Sequence, residues 1–284
     1  MNALAKIREI SINPSLNDKQ IMCVDEMAGR RSRREPLQYI MGYSYFMGLK
    51  IFVGSGVLIP RPETELMAEH AINRVKSYEL RVKGVNPYNP ELSTLKPIHN
   101  SPLRILDLCT GSGCLALAIA KEFPNAHVLG TDISEAALGY ARRNVELNKI
   151  KNIEFAIGHL FEPLLSHPSP LVGEGKGEGE NSFDLIISNP PYIRTDDIQT
   201  LQPEIRDWEP IGALDGGADG LDFYREIISQ AGKFLKTNGI LMLELGAGCS
   251  DKTVCMMKDA GYTDIEVQKD YAGIERIIQA RWTN

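Results

Sequence analysis

From Arg104 onward, short apolar runs alternate with segments of helical periodicity, and this alternation limits the possible folds more than any other feature of the chain. Strands are predicted at 104–109, 127–132, 152–157, 183–188 and 239–245, with helices at 113–123, 134–147, 220–235 and 250–260. Parallel neighbours need a long crossover, so strand and helix in alternation imply a parallel sheet covered by helices on both faces. Ser134 is placed to cap its helix, with Glu135 in the first turn. The last two apolar runs, 264–268 and 274–280, lie too close together for a helical crossover. They predict an antiparallel hairpin at the end of the sheet.

Upstream the organisation changes. Residues 1–42 read as a short helical region ending in the basic run Arg30, Arg31, Arg33 and Arg34, a solvated helix terminus favoured by the dipole. Residues 43–82 form a β-hairpin and, after Pro60-Arg-Pro62, a helical connector with apolar residues Leu66, Met67, Ala71, Ile72 and Val75. Residues 83–102 carry four prolines with little periodicity and read as a linker or insertion. The main domain covers 103–284. Within it, 166–181 alternates glycine with charge, a stretch unable to bury apolar surface.

Composition narrows the function classes. The longest apolar run, Cys114 to Ala120, is far short of the roughly 20 residues that span a bilayer. With 31 Lys+Arg against 37 Asp+Glu, the net charge of −6 disfavours a protein that lives on nucleic acid phosphates. The five cysteines show no CxxC spacing and the five histidines no cluster, so reduced thiols and no metal are expected. A soluble intracellular enzyme survives these exclusions.

The first strand of the main domain runs into Asp107-Leu-Cys-Thr-Gly-Ser-Gly113 and then a helix. Glycines at 111 and 113 let backbone approach a ligand, and the helix start offers unpaired N–H donors. The spacing satisfies a dinucleotide fingerprint. However, Asp107 holds the strand end and the glycines come four residues later, which suits a cofactor with an α-amino-acid group better than a pyrophosphate. Asp132, ending the next strand, is placed to accept both ribose hydroxyls. Together these features resemble the S-adenosylmethionine site of class I methyltransferases. A nicotinamide dinucleotide, or glycines with a purely structural role, remain the alternatives at this point.

The fourth strand exits into Asn189-Pro-Pro-Tyr192, at the strand end where open α/β sheets bind substrate. A planar amide or exocyclic amine is a weak nucleophile because its lone pair is delocalised. Asn189 can accept one of its N–H bonds and the Pro190 carbonyl the other, stabilising positive charge as a methyl group arrives. The prolines stiffen the loop, and Tyr192 offers an aromatic face. A proline-rich strand exit with a packed tyrosine is the structural alternative.

This tetrapeptide beside a nucleotide loop resembles adenine N6-methyltransferases of DNA and glutamine methyltransferases of protein. The segments Pro36-Leu-Gln-Tyr-Ile-Met-Gly42, Val57-Leu-Ile-Pro-Arg-Pro-Glu-Thr-Glu65, Phe183 through Ile193, Glu209-Pro210, Ala213 through Leu221 and Tyr271-Ala-Gly-Ile-Glu-Arg276 resemble the HemK/PrmC family. The likeness runs from about Arg30 to the C-terminus. It implies a class I, Rossmann-like S-adenosylmethionine-dependent methyltransferase with a mainly parallel seven-stranded sheet and a C-terminal antiparallel hairpin. It also implies methyl transfer to the glutamine side-chain amide in the Gly-Gly-Gln motif of class-1 peptide chain release factors, which the N-terminal helical region would help to dock. The implied protein is cytoplasmic and monomeric, with no metal, membrane or direct nucleic acid contact. A sister family acting on a ribosomal protein glutamine lacks the Arg61 to Glu65 reading and stands second, ahead of DNA adenine methylation.

Carried over by this resemblance, the cofactor loop is Cys109, Thr110, Gly111, Ser112 and Gly113, with Asp132 on the ribose and Leu160 near the adenine. Asn189 would touch cofactor and substrate. Pro190, Pro191 and Tyr192 would frame the glutamine, with Asn189, Pro190 and Tyr192 carrying the chemistry. The chain departs from the family at His159, where an acidic residue is common, and at the insertion 166–181. Only 38 residues precede Tyr39, fewer than the family's N-terminal domain usually places there.

Overall fold

The computed structural model describes residues 17–82, 102–166 and 182–283. Helix α1 (Asp18–Ser32) and the short α2 (Leu37–Met41) lead into the hairpin β1 (Tyr43–Phe46) and β2 (Leu49–Phe52), then α3 (Pro62–Val82). The main sheet follows: β3 (Arg104–Leu108), α4 (Cys114–Glu122), β4 (His127–Asp132), α5 (Glu135–Asn148), β5 (Ile153–Ile157), α6 (Glu162–Ser166) and β6 (Phe183–Ser188). After a loop holding α7 (Pro203–Arg206) come α8 (Asp222–Ala231), β7 (Leu235–Glu244), α9 (Ser250–Asp259), β8 (Thr263–Lys269) and β9 (Glu275–Arg281).

The seven strands are ordered β5-β4-β3-β6-β7-β9-β8. The pairings from β5 across to β7 are parallel, and β9 enters antiparallel between β7 and β8, as the short closing connection requires. Side chains alternate between the two faces. Ile105, Leu185 and Ile187 join one buried cluster, with the hairpin, α3 and α4. Leu106, Leu108 and Ile186 join the other, with α8 and α9. The reversal of strand order between β3–β4–β5 and β6–β7 opens a crevice at the strands' carboxyl ends, where ligands bind in such sheets. The hairpin and α3 share the first cluster with the sheet.

Some sequence expectations shift. Strand β3 ends at Leu108 because Cys109 turns into the left-handed region at φ 55°. Strand β7 begins at Leu235, pairing with Phe183 before the ladder shifts register, and the preceding helix accordingly stops at Ala231. The basic run is not simply solvated. Arg30 Nε donates to Glu35 at 2.8 Å, while Arg31 and Arg34 donate to the two oxygens of Glu204 at 2.8 and 2.7 Å. Ser134 caps α5 as expected, accepting the Ala137 N–H at 3.2 Å. The linker 83–102 and the insertion 166–181 lie almost wholly outside the described residues.

Candidate active site

The loop from β3 to α4 is shaped by two carboxylates. Thr110 Oγ1 donates to Asp107 Oδ2 at 2.6 Å, and the Gly111 N–H donates to Asp132 Oδ2 at 2.8 Å. The other Asp132 oxygen takes the Ser134 N–H at 2.9 Å. A carboxylate accepts about four hydrogen bonds, and with Gly111, Ser134 and Ile133 all acting on it Asp132 still keeps acceptor capacity for an outside donor. Gly113 serves packing. At φ 76° it precedes α4, and a Cβ there would meet Leu117, Ala141 and Phe155 at 3.0–3.2 Å.

Asp107 is 1% exposed, and its Oδ1 has no hydrogen-bond partner among the described residues. Burial pushes its carboxyl up to about 7. Such an acceptor is costly unless something else supplies a donor. Burial also raises the Asp132 carboxyl, opposed by the backbone N–H groups of Ser134, Gly111 and Ile133.

At the end of β6, Asn189 Nδ2 donates to Thr64 Oγ1 at 3.0 Å. Thr64 Oγ1 donates in turn to Glu244 Oε2 at 2.7 Å. Glu244 Oε1 receives the Tyr192 hydroxyl at 3.4 Å. Sequence reasoning missed Thr64 and Glu244. Thr64 falls inside a recognised segment, but nothing local signals its partner at the end of β7.

These elements enclose a cavity of ≈ 640 Å³, within the range of small-molecule sites. Cys109, Thr110, Gly111, Ser112, Asp132, Leu160, Asn189 and Pro191 line it, joined by Asp107, Thr64 and His159. Gly113, Pro190 and Tyr192 stand outside its wall. Tyr192, expected to frame a substrate with its ring, directs its hydroxyl to Glu244 and sets the ring so close to Gly246 that a Cβ there would lie 2.9 Å from it. His159 Nε2 lies 2.9 Å from Glu226 Oε2 of α8.

A family model described as a methyltransferase domain matches residues 99–274. The release factor glutamine methyltransferase of Thermodesulfovibrio yellowstonii is 42% identical over 273 residues, covering 96% of this chain and 86% of the relative. The chain belongs to the release factor glutamine methyltransferase family. A second relative of that name, from Geobacter sulfurreducens, is 38% identical over 272 residues, covering 96% and 82%. A solved methyltransferase from Pyrococcus furiosus shares the fold at 19% identity and TM-score 0.51, covering 90% of this chain and all of that one.

As in a class I methyltransferase, the crevice lies at the carboxyl ends of β3, β4 and β6, and this fold implies S-adenosylmethionine as methyl donor. Among the described residues of this family member, no group of His, Cys, Asp and Glu is arranged to hold a metal ion. No described helix is long and apolar enough to cross a membrane.

Proposed function

We propose that the protein methylates the side-chain amide nitrogen of the glutamine in the Gly-Gly-Gln motif of class-1 release factors, using S-adenosylmethionine. Family membership supports the substrate. The observation that carries the chemistry is Asn189 on the cavity wall with its Nδ2 already committed to Thr64. Its Oδ1 is then the end left to meet a substrate N–H.

The cavity fits the methyl donor. The unpartnered, buried Oδ1 of Asp107 matches an ammonium group, and the remaining acceptor capacity of Asp132 matches a ribose hydroxyl. Cys109, Thr110, Gly111 and Ser112 would line the amino-acid end, with Leu160 and His159 against the base. When bound, S-adenosylmethionine supplies an electrophilic methyl group on a sulfonium.

The chain's own work is positioning and electrostatics. Asn189 Oδ1 on the cavity wall would accept one N–H bond of the glutamine amide. The Pro190 carbonyl, which lies beyond that wall and to which no described residue donates, would accept the other from a substrate that reaches past it. Those bonds strengthen as positive charge develops on nitrogen, so they favour the transition state over the ground state. The amide proton then leaves to solvent. Pro190 and Pro191 hold the loop rigid, and Tyr192 acts from behind through Glu244.

A methyl-transfer assay with labelled donor tests this reading on an intact release factor and on its Gly-Gly-Ala variant. Label should appear on the glutamine of the first and be absent from the second. Equal labelling of both would refute the assignment.

A further inference from the structure

Thr64 and Glu244 are 3% and 1% exposed and 180 residues apart in the sequence. A buried hydroxyl and carboxylate cost desolvation that apolar residues of similar size would avoid, so stability alone does not account for them. Their location does. Glu244 ends β7 next to β6, where Ser188 pairs with Leu243. One of its oxygens takes Thr64 and the other Tyr192, so a single carboxylate tethers both ends of the Asn189-Pro-Pro-Tyr192 turn.

The chain of bonds has a direction. An ionised carboxylate only accepts, so it claims the one proton of the Thr64 hydroxyl. Thr64 then faces Asn189 only as an acceptor, and the NH₂ end of the Asn189 amide must turn toward it. Flipped by 180°, the same amide would present N–H donors to the N–H donors of the substrate. We propose that Thr64 and Glu244 are positioning residues that fix the orientation of the Asn189 amide and so keep its oxygen aimed at the substrate nitrogen. This rests on the assignment of Asn189 as the group that holds the glutamine amide.

Protonating Glu244 would relax this lock, because a carboxylic acid can donate to Thr64 and release the hydroxyl proton toward Asn189. The groups facing Glu244 are Glu63 and Thr64 of α3, Cys114 of α4, Tyr192, Tyr224 of α8 and Arg276 of β9. Burial pushes Glu244 up to about 7, and Thr64 and Tyr192 draw it back by hydrogen bonding.

The test is steady-state methyl transfer to an intact release factor at saturating donor, for wild type, Thr64→Val, Thr64→Ser and Glu244→Gln across pH 6 to 8.5. Thr64→Val keeps the shape but not the hydroxyl, and should lower kcat about 10- to 100-fold while KM stays within about twofold. Thr64→Ser should keep kcat within about threefold of wild type. In wild type kcat should rise with pH through about 7, and Glu244→Gln should lose that rise. Unchanged kcat in Thr64→Val, or a loss that Thr64→Ser shares in full, overturns the proposal. If Thr64→Val does not fold, Glu244→Gln decides, since a pH profile matching wild type also overturns it. Wild-type protein that leaves the glutamine unmethylated refutes the substrate reading instead, before any variant is compared.

Discussion

Arg61 Nη2 donates to Glu209 Oε1 at 2.6 Å, joining residues 148 positions apart. The Glu209 side chain is 1% exposed and also accepts the Ile59 N–H at 3.3 Å, whereas Arg61 keeps 29% of its side chain in solvent. Burial raises the Glu209 carboxyl and Arg61 opposes the rise. The pair fastens the connector ahead of α3 to the loop ahead of α8, and so holds together two walls of the cavity.

Removing the cation should therefore cost more than an ordinary surface pair. Arg61→Met leaves a buried carboxylate unpaired, and partial exposure of the site trims the usual penalty to about 2–4 kcal/mol. Adding Glu209→Gln removes the stranded charge and should recover much of the loss. Urea denaturation compares the two, and a double variant no more stable than the single would contradict this account.

Asp132→Asn tests the donor site. The amide retains one acceptor oxygen but turns an NH₂ group toward backbone donors and the proposed ribose position. Affinity for S-adenosylmethionine should fall by about 1.5–3 kcal/mol. Calorimetry giving an unchanged affinity would remove Asp132 from the ribose.

On the proposed function, Asn189→Ala deletes an acceptor whose bond would be strongest in the transition state. Turnover should drop about 10²–10³-fold, by analogy with loss of one oxyanion-hole donor, with folding stability nearly unchanged. Asn189→Asp keeps an acceptor but loses the N–H donated to Thr64, so partial activity with altered donor affinity is expected. Full turnover by Asn189→Ala in the labelled-methyl assay would place the reacting nitrogen elsewhere.

The Asp107 carboxyl sets a pH dependence of stability. Its value is about 7 in the fold against 3.8 ordinarily, so the native state binds more protons than the unfolded chain between those values. Stability from this group is full below about pH 4 and is lost as pH rises through about 7. Glu244 acts in the same direction. Asp107→Asn should therefore flatten, without abolishing, the decline in stability from pH 5 to 8 measured by denaturant titration. A slope equal to wild type would show that Asp107 is ionised throughout.

Much of the fold was legible because its signals are local. Strands β4 and β6 match their predicted ranges to the residue, and Ser134 caps α5 as predicted, since alternation and capping depend on neighbours two to four positions apart. The basic run does end its helix with Arg31, Arg33 and Arg34 exposed, as predicted, but the ion pairs of Arg31 and Arg34 are not legible in the sequence. Their partner Glu204 lies about 170 residues away, and no local pattern announces it.

The same division holds at the site. Sequence alone determined the alternating architecture, the acidic residues at the ends of β3 and β4, and the Asn189-Pro-Pro-Tyr192 turn on which the proposed chemistry rests. Tertiary structure alone decided which atoms of that turn are free. The strand order brings β7 beside β6, so Glu244 reaches both Thr64 and Tyr192, and the hairpin and α3 fold back over the sheet to deliver Thr64 to Asn189. Hydrogen bonds between residues 52 to 180 positions apart depend on that packing, and no periodicity in the chain encodes them.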